Sequence, residues 1–262
     1  MLEVVVTDTL AEAEAAMSER ARFLGGGTLV MRQVNYGDQR FDRIVRCRED
    51  LREVRPEGPR VVIGAGLRMV DIIASRDLAF LAPAARAVGG PAVRNMATVG
   101  GNLIAPHPYG DLAVALLALD GQVVMADGSS APLEQYLARR QGLVRAISID
   151  RPAGDSFRFR KVARVKPKGV SVMSMAACLN RAAGRLSGVR IAYGAMASTP
   201  VRAPAVERAL EGATLDLTGI TPALRVATDG LDPPTDALAS SWYRREVAPV
   251  HLRRLLLGED PR

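Results

Sequence analysis

Three glycine clusters carry most of the chemistry that this sequence offers. The first, Gly25-Gly26-Gly27-Thr28, follows the short apolar stretch Arg22-Phe23-Leu24, and the second, Ile63-Gly64-Ala65-Gly66, follows Val61-Val62. The third sits in Val93-Arg94-Asn95-Met96-Ala97-Thr98-Val99-Gly100-Gly101-Asn102, which runs on to His107-Pro108-Tyr109-Gly110-Asp111. Glycines after a strand leave the backbone open, so its N–H groups can converge on an anion, and a helix N-terminus behind them adds a favourable dipole. Phosphate is the natural guest. A glycine cluster is also an ordinary turn, so the first cluster alone does not decide between the two readings. The second begins like a dinucleotide fingerprint, but Met69 stands where the third glycine belongs and no acid follows about 20 residues on, so a Rossmann-type NAD site does not fit.

The elements that must position these clusters can be read from periodicity and punctuation. Thr9-Leu10-Ala11-Glu12 has the capping-box pattern, which predicts a helix to about Arg20. Short strands are expected at Arg22-Phe23-Leu24 and Val61-Val62-Ile63, the latter followed by helical spacing over Leu67 to Ser75, so short βα units are implied. Pro83 opens a helix through Val88, and the stretch from Gly89 to Asp111 reads as a long ligand-serving loop. Asp111 is placed to cap a uniformly aliphatic, buried helix from Leu112 to Leu119. A strand at Val123-Val124-Met125, a turn at Asp127-Gly128, a helix near Leu133 to Arg140 and a strand from Leu143 to Ile149 complete this region. Past the linker Arg151–Asp155 the texture changes. Three β-rich stretches, about 157–165, 170–180 and 185–194, predict an antiparallel meander, and helices at about 203–211, 218–229 and 240–257 cover one side of it. The expected fold is α+β. A two-subregion α/β domain over 1–151, divided at about residue 55, precedes a C-terminal antiparallel three-stranded sheet covered by helices over 155–262.

Composition narrows the function. With 48% hydrophobic and 24% charged residues the chain is an ordinary globular protein. No apolar run approaches the roughly 20 residues of a membrane span, and the opening Met1-Leu2-Glu3-Val4 lacks a basic region followed by an apolar stretch and a cleavage site, so a cytoplasmic location is expected. Cys47 and Cys178 lie far apart, and His107 and His251 do not flank them at metal-ligand spacing, so neither zinc nor an iron–sulfur cluster belongs to this chain. The net charge of +7 comes mostly from scattered arginines, and five Tyr, five Phe and one Trp leave few platforms for base stacking, which argues against nucleic acid. Lys161, Lys166 and Lys168 form a basic stretch that reads either as a solvated hairpin or as a docking surface for an acidic partner.

The first and third clusters together resemble the two phosphate-binding segments of the FAD subunit of molybdenum hydroxylases, the family of xanthine dehydrogenase and the carbon monoxide dehydrogenase medium subunit. The resemblance runs along the chain. It includes Ile63-Gly64-Ala65 through Asp71-Ile72, Lys161 through Arg164, Gly194 through Arg202, and the closing helix with Tyr243-Arg244-Arg245 and Arg253-Arg254. It implies an electron-transfer flavoprotein whose backbone at Gly25, Gly26, Gly27, Thr28, Leu29 and Val30, and at Thr98, Val99, Gly100, Gly101 and Asn102, wraps the FAD diphosphate. By the same resemblance Asp111 holds ribityl or sugar atoms, His107 borders them, Val88 lines the apolar face, and Lys161 approaches the isoalloxazine edge, where a cation stabilises charge on reduced flavin. The implied partners are a small iron–sulfur subunit and a large molybdenum-cofactor subunit, in a dimer of heterotrimers.

Plainer roles fit the same residues. Asp111 reads equally as a helix N-cap, Lys161 as a solvent-facing strand residue and His107 as a loop histidine. Three departures from the family pattern stand out: Leu29 where a Ser or Asp is common, Gly66-Leu67 in place of a threonine, and Pro167-Lys168-Gly169 where relatives place an aromatic ring. Two other functions fit the sequence, a self-contained flavin oxidoreductase of the same FAD fold and, given these departures, a structural subunit that has lost FAD.

Overall fold

The computed structural model describes residues 2–165 and 169–259. The expectations that rest on Lys166, Pro167 and Lys168 lie outside the described residues.

The chain opens with β1 (Glu3–Thr7), α1 (Leu10–Ala15), β2 (Ala21–Phe23), α2 (Val30–Asn35) and β3 (Arg43–Cys47). The strands form a parallel sheet in the order β1-β3-β2. The capping box is present: the Thr9 hydroxyl accepts from the Glu12 N–H and the Glu12 carboxylate accepts from the Thr9 N–H. α1 nevertheless stops at Ala15, short of Arg20, because the chain turns at Ser18, whose carbonyl accepts from the Ala21 N–H, to lay β2 beside β3. Sequence periodicity did not point to β1 or β3.

A second unit follows, with β4 (Val54–Glu57), β5 (Arg60–Gly64), α3 (Met69–Ala74), α4 (Ala82–Ala87), α5 (Pro91–Arg94), α6 (Val99–Leu103), α7 (Asp111–Ala118), β6 (Gln122–Met125), β7 (Ser130–Pro132), α8 (Leu133–Arg139) and β8 (Val144–Asp150). Its five-stranded sheet runs β4-β5-β8-β6-β7 and every pairing is antiparallel. The succession β5–α3 thus looks like a βα unit but leads to no parallel strand. The expected loop from Gly89 to Asp111 instead holds two short helices, α5, opened by Pro91 at its first turn, and α6, capped by Thr98.

The remainder comprises β9 (Phe157–Ala163), β10 (Ser171–Cys178), β11 (Arg181–Ala182), β12 (Arg185–Leu186), β13 (Arg190–Gly194), β14 (Val201–Arg202), α9 (Pro204–Leu210), α10 (Leu217–Arg225) and α11 (Ser241–Leu257). The three expected strands are β9, β10 and β13, paired antiparallel, and the two-residue β14 extends the sheet beside β13. A small hairpin, β11–β12, links β10 to β13.

Side chains on β10 alternate between two cores, as the period of a strand requires. Ala176 and Cys178 join α7 and the five-stranded sheet, while Met173, Met175 and Ala177 join α9, α10 and α11. The C-terminal sheet is therefore covered on both faces: its own helices lie on one side and α7 on the other. This explains why α7 is aliphatic all round, since every one of its residues is buried. It also explains Gly194, where a Cβ would lie 2.7 Å from Val114 of α7. Among the described residues, no helix is long and apolar enough to cross a membrane.

Candidate functional site

The glycine segments meet. A Cβ on Gly26 would lie 1.7 Å from the Met96 carbonyl oxygen, so the first cluster presses backbone to backbone against the segment entering α6. Two clefts open on either side of this junction, of about 830 and 880 Å³. They share a wall that includes Gly25, Gly26, Thr98 and Gly101. The first cleft lies between the parallel sheet and the five-stranded sheet. The second runs along α2 to Val88, Asp111, Lys161 and Ser171.

The two segments contribute differently. Among the described residues, no acceptor is bonded to the backbone N–H groups of Gly25, Gly26, Gly27, Thr28 or Leu29. In the other segment the N–H groups from Val99 to Asn102 are already committed. Val99 donates to the Leu67 carbonyl, Gly100 to the Ala65 carbonyl, and Gly101 and Asn102 to the hydroxyl and carbonyl of Thr98. What Thr98–Asn102 adds is space. A Cβ on Gly25 or Gly101 would meet only the Thr98 hydroxyl, at 3.0 and 3.1 Å, so bulk there would project into the shared wall. Gly100 differs, because its Cβ would press on Ala65 at 3.0 Å.

Asp111 is buried, at 6% exposure, in the first turn of α7, where the helix dipole favours a carboxylate. It does not cap the helix. Gly110 is the N-cap residue, and the Asn102 side-chain oxygen, reaching across from α6, accepts from the Ala113 N–H at 3.0 Å. Asp111 is thereby free to accept from Lys161 Nζ at 2.9 Å and from the Ser171 hydroxyl at 2.5 Å. Lys161 is no solvent-facing strand residue: its side chain is 14% exposed and its ammonium also donates to the Ala87 carbonyl at 2.7 Å. Ser171, buried beside Asp111, has no sequence signal of its own; only the β9–β10 pairing brings it there.

Most of the other expected residues line the clefts. Gly27, Thr28, Leu29, Val30, Val88 and Asn102 lie on the second cleft, and Gly100 on the first. Two do not. Val99 is fully buried in the core around α7, and His107 turns away to bond Asp236, Nε2 to Oδ2, at 2.7 Å. Its neighbours Pro106 and Pro108 face the second cleft. Across the cleft, Arg32 of α2 donates to the Tyr109 hydroxyl at 3.2 Å and so bridges the two walls.

The electrostatics suit an anion. The first cleft is lined by six arginines against three carboxylates. One of them, Arg140, has a buried Nε with no acceptor among the described residues, and burial works against its charge. Behind His107, Arg244 of the closing helix is 0% exposed and donates to both oxygens of Asp236 at 2.9 and 2.8 Å. Burial opposes the charge on Asp236. Hydrogen bonds from His107, the Ala239 N–H and Arg244 outweigh it and hold this carboxyl well below the usual aspartate range. The arginine-rich closing helix is therefore not simply a solvated surface.

The candidate site is thus a two-lobed cleft pinched at a glycine wall, with a carboxylate, a lysine and a serine at one end. Residues 1–148 match the family described as the FAD binding domain in molybdopterin dehydrogenase, and residues 158–258 match the CO dehydrogenase flavoprotein C-terminal domain. The chain belongs to this family of FAD-binding oxidoreductase subunits, and FAD is its cofactor. It is 29% identical to the glyceraldehyde dehydrogenase medium chain of Sulfolobus acidocaldarius, over 72% of each chain. To the carbon monoxide dehydrogenase medium chain of Afipia carboxidovorans it is 27% identical over 94% of this chain and 92% of the relative. To the xanthine dehydrogenase FAD-binding subunit of Escherichia coli it is 26% identical over 95% and 92%. Carbon monoxide dehydrogenase from Hydrogenophaga pseudoflava shares the fold with a TM-score of 0.88 at 24% identity, covering 97% of this chain and 96% of that one.

Proposed function

We propose that FAD lies across both clefts, with its diphosphate on the shared glycine wall, the adenosine end in the first cleft and the flavin in the second. The observation that carries this reading is the run of N–H groups from Gly25 to Leu29, which have no acceptor among the described residues and sit where the two clefts join. Gly25 is exposed and Gly26 to Leu29 are half-buried, so these adjacent donors are open to a ligand from the clefts, and partly buried donors of this kind are satisfied when a ligand supplies the acceptors. The excess of arginine in the first cleft and the unpartnered Arg140 Nε support the anionic end there.

In the second cleft Val88 lines an apolar face, while Lys161 meets the flavin edge as one half of an ion pair. Its charge is largely offset by Asp111, so it acts as a hydrogen-bond donor with one of its three N–H groups beyond those already used. Ser171 joins the site by fixing the Asp111 carboxylate. Leu29 leaves no side-chain donor at its position, and the backbone carries that side of the diphosphate.

FAD, when bound, supplies the redox chemistry. We assign the chain the role of relay between an iron–sulfur subunit and an external acceptor, with substrate oxidised at a molybdenum centre on a third chain. The relatives named medium chains of dehydrogenases support the multi-subunit setting, and a solved relative is a Cu,Mo-CO dehydrogenase. Two cysteines, Cys47 and Cys178, give this chain no ligand set for a cluster. The separated chain is expected to show no substrate oxidation and to restore flavin-dependent transfer when returned to its partners. Full turnover by the chain alone would replace this reading with the self-contained oxidoreductase.

The site itself is tested by Gly101→Val. An isopropyl group at the shared wall should exclude the diphosphate, and affinity for FAD is expected to fall about a hundredfold or more, giving colourless protein after gel filtration. A yellow variant with a full complement of flavin would remove the diphosphate from this wall.

A further inference from the structure

We propose that His107 is a positioning residue for the flavin: anchored to the Asp236–Arg244 pair, it sets the wall from Pro106 to Asp111 against the second cleft. The inference rests on the flavin-cleft reading above and concerns residues that do not touch the cofactor.

In the run 106–111 every residue except His107 lines the cleft. The exception points the other way, and what it meets is a built anchor. An ionised carboxylate only accepts, so the His107 Nε2 bonded to Asp236 carries the proton and donates. Asp236 lies in the irregular segment between α10 and α11, and the N–H groups of Leu238 and Ala239 also donate to it, at 2.8 and 3.1 Å. Behind it the Arg244 guanidinium is fully engaged. Besides Asp236, its Nε donates to the Val172 carbonyl at 3.0 Å, and its Nη1 to the carbonyls of Pro234 and Ala239.

These bonds close a circuit. Val172 is the neighbour of Ser171, whose hydroxyl bonds Asp111. The 106–111 wall is thus tied at its start through His107, Asp236 and Arg244 to β10, and at its end through Asp111 and Ser171 to the same point of β10. A stretch with two prolines and a glycine forms few backbone hydrogen bonds of its own, so such ties decide where it stands. A buried ion pair is a poor source of net stability, because apolar residues of similar volume do as well, whereas it does specify one arrangement of the groups around it. The pair sits under a ligand-lining wall, where an arrangement matters more than a gain in stability.

The test uses the full chain stripped of flavin and titrated with FAD. Quenching of flavin fluorescence reads affinity, the visible circular dichroism of bound flavin reads its setting, and the melting temperature of the apoprotein reads the fold. Loss of one charge-assisted hydrogen bond in H107A is expected to weaken FAD binding about tenfold and to change the visible dichroism. The apoprotein midpoint should fall by about 3–6 °C, the loss of one such bond, and H107Q should return it. H107Q, whose amide N–H can donate to Asp236, should return affinity to within about threefold and recover the dichroism. If the alanine variant does not fold, His107→Leu keeps the volume without the donor and takes its place. Parental affinity and dichroism in H107A would overturn the proposal. So would an affinity loss matched by a lower apoprotein midpoint that glutamine does not repair, since that marks a purely structural histidine. A colourless Gly101→Val beside a normal H107A removes this inference alone, whereas a fully flavinylated Gly101→Val removes the cleft reading beneath it.

Discussion

Arg244→Met is expected to lower stability by about 3 kcal/mol, read in a thermal scan as a midpoint roughly 6–12 °C lower. The methionine fills most of the space, so the loss is electrostatic. Removing one member of a buried ion pair leaves the other uncompensated, which typically costs about 3–5 kcal/mol. The low end applies because the Asp236 side chain keeps 24% exposure and still receives His107 and two backbone N–H groups. Three carbonyls, those of Val172, Pro234 and Ala239, also lose their donor. The double variant Arg244→Met with Asp236→Leu should recover part of the loss, because no buried charge remains. A single variant within about 0.5 kcal/mol of the parent would show that the pair contributes nothing.

The same pair gives a pH signature. Folding holds the Asp236 carboxyl below the ordinary aspartate value of 3.8, so it stabilises the protein at neutral pH and gives up that contribution as pH falls below about 4. Parent and Arg244→Met are therefore expected to converge in stability as the solution is acidified through that range. Urea midpoints measured at several pH values check this, and a gap that stays constant down to pH about 2 would contradict it.

The sequence carried the parts of the site that depend on chain-local chemistry. Gly25–Thr28 and Thr98–Asn102 are legible because close approach of backbone to backbone or to ligand needs residues without a side chain, and that need is written in glycine. Hydrophobic pattern was equally direct for α7, whose unbroken aliphatic run requires neighbours on every side. The features that escaped depend on partners distant in sequence. Asp111 looks like an N-cap by position, and only the fold shows that Asn102 takes that duty and leaves the carboxylate to Lys161 and Ser171. A serine at the head of a strand has no pattern to betray a bond to a carboxylate 60 residues away.

Strand direction escaped for a similar reason. An apolar run followed by glycine and a helix fits a parallel βα unit, but the pairing of β5 with β4 and β8 is settled by which strands lie alongside it, and both run antiparallel. Arg244 is the sharpest case. In a segment reading Ser240-Ser241-Trp242-Tyr243-Arg244-Arg245-Glu246, charge alone suggests a solvated face. Helical geometry turns one of the two adjacent arginines inward by about 100° relative to the other, and only the inner one meets Asp236.

Gly26→Ala is expected to abolish FAD retention, with affinity lower by more than about a hundredfold, although it adds a single methyl group. Gly26 has no left-handed backbone to protect; its requirement is the close approach. The added carbon would lie 1.7 Å from the Met96 carbonyl oxygen, 2.6 Å from that carbonyl carbon and 3.1 Å from the Ala97 Cα. All three are backbone atoms, so no side-chain rotation relieves the clash and the two segments must separate. Gly25 and Gly26 stand on one side of the junction, Thr98 and Gly101 on the other, and the shared wall of both clefts exists only while they touch. The parallel sheet is held otherwise by a small core around Leu10, Ala13, Ala21, Val45 and Ala126, so it yields before the larger core around α7 does. Amide exchange should accordingly quicken in 21–36 and 43–47 while β9, β10 and α11 keep their protection. Gly25→Ala supplies the graded comparison, because its Cβ meets only the Thr98 hydroxyl, at 3.0 Å, which can rotate aside. It should weaken FAD binding by no more than about tenfold. Equal, near-parental affinity in both variants would mean that the junction of the two glycine segments does not hold the diphosphate.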